Sequence, residues 1–309
     1  MNLSLILCTH NPRKEYLDRT LQALRSQSLP LVQWELLLID NASSPPLTTQ
    51  FDLSWHPQAK IVQETELGLT PARMRGIHEA KAPLLCFVDD DNVLDSTYLE
   101  NALRIAEERP DLGCFGGKIV GEYEETPPAW FDRYQDMIAV RPLERDHWGN
   151  FYRYDDATPC GAGMCIRADI TQYYRDTCAQ SPLRVILGRK GSSLASSEDI
   201  DLAYTAIDMG HGTGRFVSLS LIHIIPKSRT SIDYLERLAE ATEESNVYLN
   251  HVRNMLQNIP DNPGLIRKWI RRARMQFRMK KEHRRLYLAR ERGRKKGMAN
   301  IQNVSTNVD

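Results

Sequence analysis

Pro83-Leu-Leu-Cys-Phe-Val-Asp-Asp-Asp-Asn92 decides how this chain is to be read. Its apolar half is too short for a helix and reads as a buried strand. The strand delivers Asp89, Asp90 and Asp91 together at its carboxyl end. Carboxylates a few ångströms apart repel one another, and the usual remedy is a hard divalent cation, Mg²⁺ or Mn²⁺, held by oxygen ligands. Asp89 and Asp91 are the candidate metal ligands. In open α/β sheets the ligand crevice lies outside the carboxyl ends of the strands, where this cluster falls.

The flanking sequence repeats the pattern. Leu3–Leu7 is apolar and breaks at Thr9-His-Asn-Pro12, after which Leu17, Leu21 and Leu24 recur at helical spacing. Trp34–Ile39 ends at Asp40-Asn41, and Ala59–Val62 reads as a shorter strand. Thr70-Pro71 opens a helix, with Thr as cap and Pro in the first turn. Ser96–Glu108 is a helix with Thr97 and Glu100 spaced as a capping box. Strands alternating with helices predict parallel pairing and an α/β fold.

Beyond residue 120 the pattern weakens. Glu122–Asp156 reads as long loops rich in Glu, Pro and aromatic rings, among them Trp130 and Trp148, which either stack on a sugar or pack a small satellite core. Gly161–Ile166 and Phe216–Ile225 read as strands, the latter carrying His223. Ser196-Ser-Glu-Asp199 precedes a helix with carboxylates in its first turn, and Ser231–Leu256 is a long helix. Gly116-Gly117, Gly161 and Gly163 mark either plain turns or close backbone approach beneath an acceptor.

Composition excludes several classes. With 309 residues, 41% hydrophobic and 26% charged, the chain is that of an ordinary globular protein. No stretch approaches the roughly eighteen apolar residues of a membrane span, and the start lacks a signal-peptide pattern. Six scattered cysteines without C-x-x-C spacing suit a reducing cytoplasm. The zero net charge hides an asymmetry: residues 265–309 hold 15 Lys and Arg against 3 Asp and Glu, leaving 25 against 37 for residues 1–264. A basic arm on an acidic body implies a polyanionic partner.

Within that arm, Leu265, Ile266, Trp269, Ile270, Ala273 and Phe277 recur at helical spacing among arginines. A basic amphipathic helix of this kind suits an anionic membrane surface, through residues 265–296, more than nucleic acid, and would place the protein at the inner face of the plasma membrane. Packing of that helix on the catalytic domain is the other reading. Gly297–Asp309 is polar and aperiodic and is expected to be disordered.

Taken together, the strand-end groups describe a nucleotide site in which Asp40 accepts from a base and a metal at Asp89 and Asp91 neutralises a diphosphate. Neither G-x-G-x-x-G nor G-x-x-x-x-G-K-[ST] occurs, so the metal has to replace the backbone-amide phosphate cradle.

At this point Ser4-Leu-Ile-Leu-Cys-Thr-His-Asn11, Leu38-Ile-Asp-Asn-Ala-Ser43, Gly68-Leu-Thr-Pro-Ala-Arg73, Phe87-Val-Asp-Asp-Asp91, Gly161-Ala-Gly-Met-Cys-Ile-Arg167 and Ser197-Glu-Asp199 follow one another in an order that resembles glycosyltransferase family 2, the inverting sugar transferases of GT-A fold. The resemblance spans roughly residues 3–225. It implies a Rossmann-like mixed sheet, mostly parallel and flanked by helices, with a C-terminal helical extension. Residues 1–225 would form the catalytic domain, 1–120 the nucleotide-sugar half and 121–225 the acceptor half, followed by a helical extension over 226–260 and a basic tail over 261–309.

The resemblance further implies Thr9, Asn11 and Asp40 as the base and ribose pocket, with Arg73, Asp89 and Asp90 as further donor contacts. Asp89 and Asp91 look like the D-x-D metal pair, and His223 like an extra metal or phosphate ligand. Asp199 looks like the general base, with Glu198 as its alternate. It departs from the family pattern at Met74, where Asn often follows the Arg, and at Cys8, where Pro often precedes the Thr.

The reading is therefore a single-addition, metal-dependent hexosyltransferase taking a nucleoside-diphosphate sugar, UDP-linked by family habit, to a glycan or lipid-linked acceptor in polysaccharide biosynthesis. A nucleotidylyltransferase would ordinarily show a Gly-rich, basic N-terminal loop, which Cys8-Thr-His-Asn-Pro-Arg13 does not supply. A non-enzymatic nucleotide-sugar or nucleic-acid binder is the third class. Residue by residue, bland readings stand beside these roles: Asp40 as a turn former, Asp199 as a helix-start carboxylate favoured by the dipole, and His223 as a core histidine.

Overall fold

The computed structural model describes residues 1–256 and 280–305. The N-terminal half follows the apolar runs: β1 (Leu3–Thr9), α1 (Lys14–Arg25), β2 (Trp34–Asn41), β3 (Ala59–Glu64), α2 (Leu69–Glu79), β4 (Leu84–Asp89), β5 (Asn92–Leu94) and α3 (Tyr98–Glu108). β1 pairs in parallel with β2 and β4, and β2 with β3. Every residue of β1 and β2 is buried, as strands covered on both faces require. Period-two alternation then divides the core. Leu3, Leu5 and Leu7 pack with Leu17 and Leu24 of α1 and Leu99 of α3, while Ile6 packs on the opposite face with Ala72 and Ile77 of α2.

The second half supplies β6 (Leu112–Tyr123), a 3-10 helix (Phe131–Ile138), β7 (His147–Gly149), β8 (Met164–Arg167), α4 (Ala168–Ala179), α5 (Pro182–Val185), α6 (Glu198–Asp208), β9 (Gly212–Ile225) and α7 (Ile232–Val252). The strand order is β3-β2-β1-β4-β8-β6-β9-β5, with β7 on β9. β8 runs antiparallel to both β4 and β6, β6 and β9 are parallel, and β5 and β7 pair antiparallel with β9. The sheet is mixed, as the family resemblance implied. Among the described residues no helix is long and apolar enough to cross a membrane. All six cysteines are buried and unpaired.

Several local expectations are corrected. α2 begins after Gly68, whose N–H donates to Asn41 Oδ1 (2.8 Å), so Thr70 lies inside the helix and does not cap it. The Thr97 hydroxyl donates to Asp95 Oδ1 (2.7 Å), and no side-chain cap forms there. Glu122–Asp156 is not loop throughout: β6 runs on to Tyr123, and the 3-10 helix and β7 follow.

The largest correction is at the end. Gly297–Ser305, expected to be disordered, continues α8 (Lys281–Ser305), which lies along α7. Glycine is an instrument of contact here, since a Cβ at Gly293 would stand 2.0 Å from the Glu240 carbonyl oxygen. Arg285 pairs with Asp233 (2.6 Å), Arg292 with Glu236 and Glu240 (2.9 and 2.8 Å), and Lys296 with Glu244 (2.8 Å). Part of the basic arm is thus matched to an acidic helix of the same chain. The amphipathic segment expected over 265–278 lies outside the described residues.

Candidate active site

The carboxyl ends of β1 and β4, the first turns of α2 and α6, and one side of α7 and α8 enclose a cavity of about 1040 Å³. Thr9, Arg73, Asp89, Asp90, Asp91, Glu198, Asp199 and His223 all line it. The sheet register explains the convergence. β1 pairs Cys8 with Asp89, which sets Thr9 beside Asp90, and the Thr9 hydroxyl donates to the Asp90 carboxylate. Burial, with Asp91 next to it, pushes the Asp90 carboxyl up to about 7.

Asp91 and His223 meet because β5 turns back onto β9 with Asn92 opposite His223. Both side chains are buried, and His223 Nε2 stands 3.3 Å from Asp91 Oδ2. The same oxygen accepts from Arg229 Nη1 at 3.1 Å, and that nitrogen lies 3.3 Å from His223 Nε2. Burial opposes ionisation of Asp91, but the His223 ring and the Arg229 guanidinium outweigh it and hold the carboxyl well below the usual range.

Asp91 and His223 Nε2 are the groups here that could hold a divalent ion, with the Arg229 guanidinium on the same carboxylate oxygen. Mg²⁺-type ions at diphosphates take one or two protein carboxylates and fill the remaining positions from phosphate and water. No ready-made cluster of three such ligands exists among the described residues, and Asp89 turns instead toward Arg73 (3.8 Å).

Arg73 is buried and packs its guanidinium against the Phe87 ring (5.4 Å). It forms an ion pair with Glu198, itself buried. Gly161 makes room for it, because a Cβ there would lie 2.3 Å from Nη2. Burial pushes the Glu198 carboxyl up to about 7 against the pull of Arg73, and Oε1 has no partner. Asp199, one residue on, is only partly buried. Its two oxygens accept from Gly161 N and Ile200 N, each at 2.9 Å, which holds the carboxylate at the cavity wall. Of the two acids, Glu198 is locked in a buried pair and Asp199 faces the cavity.

Two expected donor contacts are not brought to this wall. Asp40 is buried, and its oxygens accept from Ser43 N (3.0 Å) and Leu47 N (2.9 Å), holding the turn after β2. Asn11 is exposed and accepts from Ser44 N (2.8 Å). Conversely, sequence reasoning passed over Arg229, although a cation six residues after His223 was a usable signal. It also passed over Arg189 and Lys190, and over Arg290 and Arg294 of α8, all on the cavity wall. Nothing local marks the α8 pair, since only the packing of α8 on α7 brings them there.

Fold and site together define a GT-A type α/β domain with a pocket at its strand ends that is lined by carboxylates and basic side chains alike. The family model described as glycosyl transferase family 2 matches residues 4–172, more than half of the chain, and the chain belongs to that family. It is 26% identical over 127 residues to the putative glycosyltransferase EpsH of Bacillus subtilis, covering 40% of this chain and 35% of that protein. It is also 26% identical over 146 residues to glycosyltransferase AglE of Haloferax volcanii, covering 46% and 47%. The matches thus span less than half the length of either relative. Among solved structures, S. aureus TarS 1-349 superposes with a TM-score of 0.50 at 15% identity, covering 93% of this chain and 78% of that one. The same protein in complex with UDP-GlcNAc gives 0.50 at 14%, covering 94% and 79%. At such identities the likeness is one of fold.

Proposed function

We propose that this chain is an inverting glycosyltransferase that moves a sugar from a nucleoside-diphosphate donor, UDP-linked in the first instance, to a glycan or lipid-linked acceptor. One observation carries the proposal: the Asp91–His223 pair and the partly exposed carboxylate of Asp199 line a single cavity. That arrangement suits a diphosphate at one end and a hydroxyl acceptor at the other. Family membership favours this reading over a nucleotidylyltransferase or a non-enzymatic binder.

In the reaction the acceptor oxygen bonds to the anomeric carbon as the bond from that carbon to the diphosphate oxygen breaks. Asp199 takes the hydroxyl proton as the bond forms. Attack from the face opposite the leaving group inverts the configuration, so an α-linked donor gives a β-glycoside. A divalent ion held by Asp91 and His223 would supply charge at the departing diphosphate, where it counts more in the transition state than in the ground state. Arg229, already in that corner, and Arg189 and Lys190 on the wall add positive charge of the chain's own. Thr9 and Arg73 fix the carboxylates of Asp90 and Asp89.

UDP release from a panel of UDP-sugars, with Mn²⁺, with Mg²⁺ and with chelator, tests this reading. Metal-dependent release that Asp199→Asn abolishes supports it. The absence of any release from UDP-, GDP- and dTDP-sugars would overturn it. Association with an anionic membrane then rests on residues 265–279, because Arg285, Arg292 and Lys296 are matched within the chain.

A further inference from the structure

The aromatic rings between Trp130 and Tyr154 are put to different uses. Tyr152 packs edge-on to Tyr204 (5.6 Å) and donates to Asp208 (2.9 Å), and Tyr154 lies over the Arg141 guanidinium (4.6 Å). Both line the main cavity. Trp130 joins Phe131 (6.1 Å) in a satellite core. Trp148 and Phe151 do neither. They are 57% and 72% exposed, and with His147, Arg153, Asp155 and Asp156 they line a second hollow of about 270 Å³.

Trp148 is nevertheless held in place. It lies on β7, opposite Gly214 of β9, which offers no cross-strand side chain to hide it. Behind it, Arg109 stacks 4.7 Å from the ring centroid and is itself fixed by two bonds to Asp111 (2.9 and 2.8 Å). One face of the indole is thus covered by an immobilised cation, and the exposure lies on the remaining surface. A ring oriented in advance loses little freedom on binding, and its flat face matches the C–H face of a pyranose. His147, Asp155 and Asp156 line the same hollow and give it polar groups that sugar hydroxyls could meet. Arg153 lines both hollows, so the second lies next to the first.

We propose that Trp148 and Phe151 form an acceptor subsite that stacks on pyranose rings of an oligosaccharide whose terminal hydroxyl reaches Asp199. The proposal rests on the transferase reading for its occupant. It adds that the acceptor is a chain long enough to cross Arg153, with an apolar ring face presented to the indole.

The test is direct binding of malto-, cello- and chito-oligosaccharides, from mono- to hexasaccharide, to the full chain, followed by tryptophan fluorescence and by saturation-transfer NMR. Affinity should rise with chain length in one series. Trp148→Ala should weaken the longer members roughly tenfold while leaving the monosaccharide unchanged, and Trp148→Tyr should restore most of the loss. Phe151 is so exposed that Phe151→Ala keeps the test valid should Trp148→Ala fold poorly, and it should lower affinity in the same length-dependent way.

Equal affinities in wild type and both variants, or no length dependence in any series, would overturn the subsite. A wild-type dimer that Phe151→Ala dissociates would assign the rings to a subunit contact and overturn it as well. Donor turnover by the wild type, followed in the same samples, separates failure of the subsite from failure of the transferase reading.

Discussion

Arg229 Nη1 donates at 3.1 Å to Asp91 Oδ2, the same oxygen that faces His223 Nε2. The guanidinium therefore neutralises that carboxylate and would compete for it with any divalent ion that Asp91 and His223 were to hold. Arg229→Met should tighten Mn²⁺ binding by about tenfold, read by calorimetry. In the absence of metal it should lower stability by roughly 1–3 kcal/mol, because a buried carboxylate loses a partner. Mn²⁺ affinity equal to that of the wild type would show that the arginine does not compete.

Asp199→Asn keeps the shape of the side chain but cannot take a proton. Asp199 is the proposed base for the acceptor hydroxyl, so its loss should lower transfer at least a hundredfold while the donor KM stays within about twofold. A large rise in donor KM with unchanged kcat would instead make Asp199 a donor contact. In Glu198→Gln the locked pair with Arg73 is altered while the Asp199 carboxylate stays in place, so the two substitutions should differ clearly in residual transfer.

Glu198 also makes a prediction about pH. Its carboxyl titrates at an ordinary 4.5 in the unfolded chain and near 7 when buried in the fold. The folded state holds the proton more tightly. The stability this group contributes is therefore full below pH 4.5 and lost as pH rises through about 7. Relative to Glu198→Gln, wild-type unfolding free energy should fall across that window. Urea melts of both proteins between pH 4.5 and 7.5 measure it, and parallel pH profiles would refute it.

Much of the architecture was legible because burial left a mark on the sequence. β1, β2 and β4 are nearly continuous apolar runs, and α1 and α3 carry their buried leucines at helical spacing. β6 escaped because Gly113, Gly116, Gly117 and Gly121 interrupt its alternation. The start of α2 was misplaced because Thr70 looks like a cap locally, and at Thr97, which does stand at the N-cap of α3, the hydroxyl goes to Asp95 and makes no cap bond. Strand-end position drew attention to Thr9, Asp40 and Asp89–Asp91. Of these, Thr9, Asp89, Asp90 and Asp91 line the cavity, while both Asp40 oxygens are taken by the turn after β2, a difference in tertiary partners that position in sequence does not carry.

The last prediction concerns α8, whose helical course past Gly297 rests on contacts that no local pattern encodes. Gly293 lies against the backbone of Glu240, where even a methyl group would meet the carbonyl oxygen at 2.0 Å. Two backbones cannot yield there as a flexible side chain could. Gly293→Leu should push α8 away from α7, cost about 1–3 kcal/mol, and loosen the ion pairs of Arg292 and Lys296. Because α8 carries Arg290 and Arg294 to the cavity wall, the displacement should also lower the rate of transfer. Arg292→Ala removes one pairing side chain and leaves the helix contact in place, so it should cost under about 1 kcal/mol, as exposed pairs do. Thermal unfolding and initial rates on the two variants decide the matter. Equal stability loss in both would mean that charge, and not the close helix approach, holds α8 on the domain.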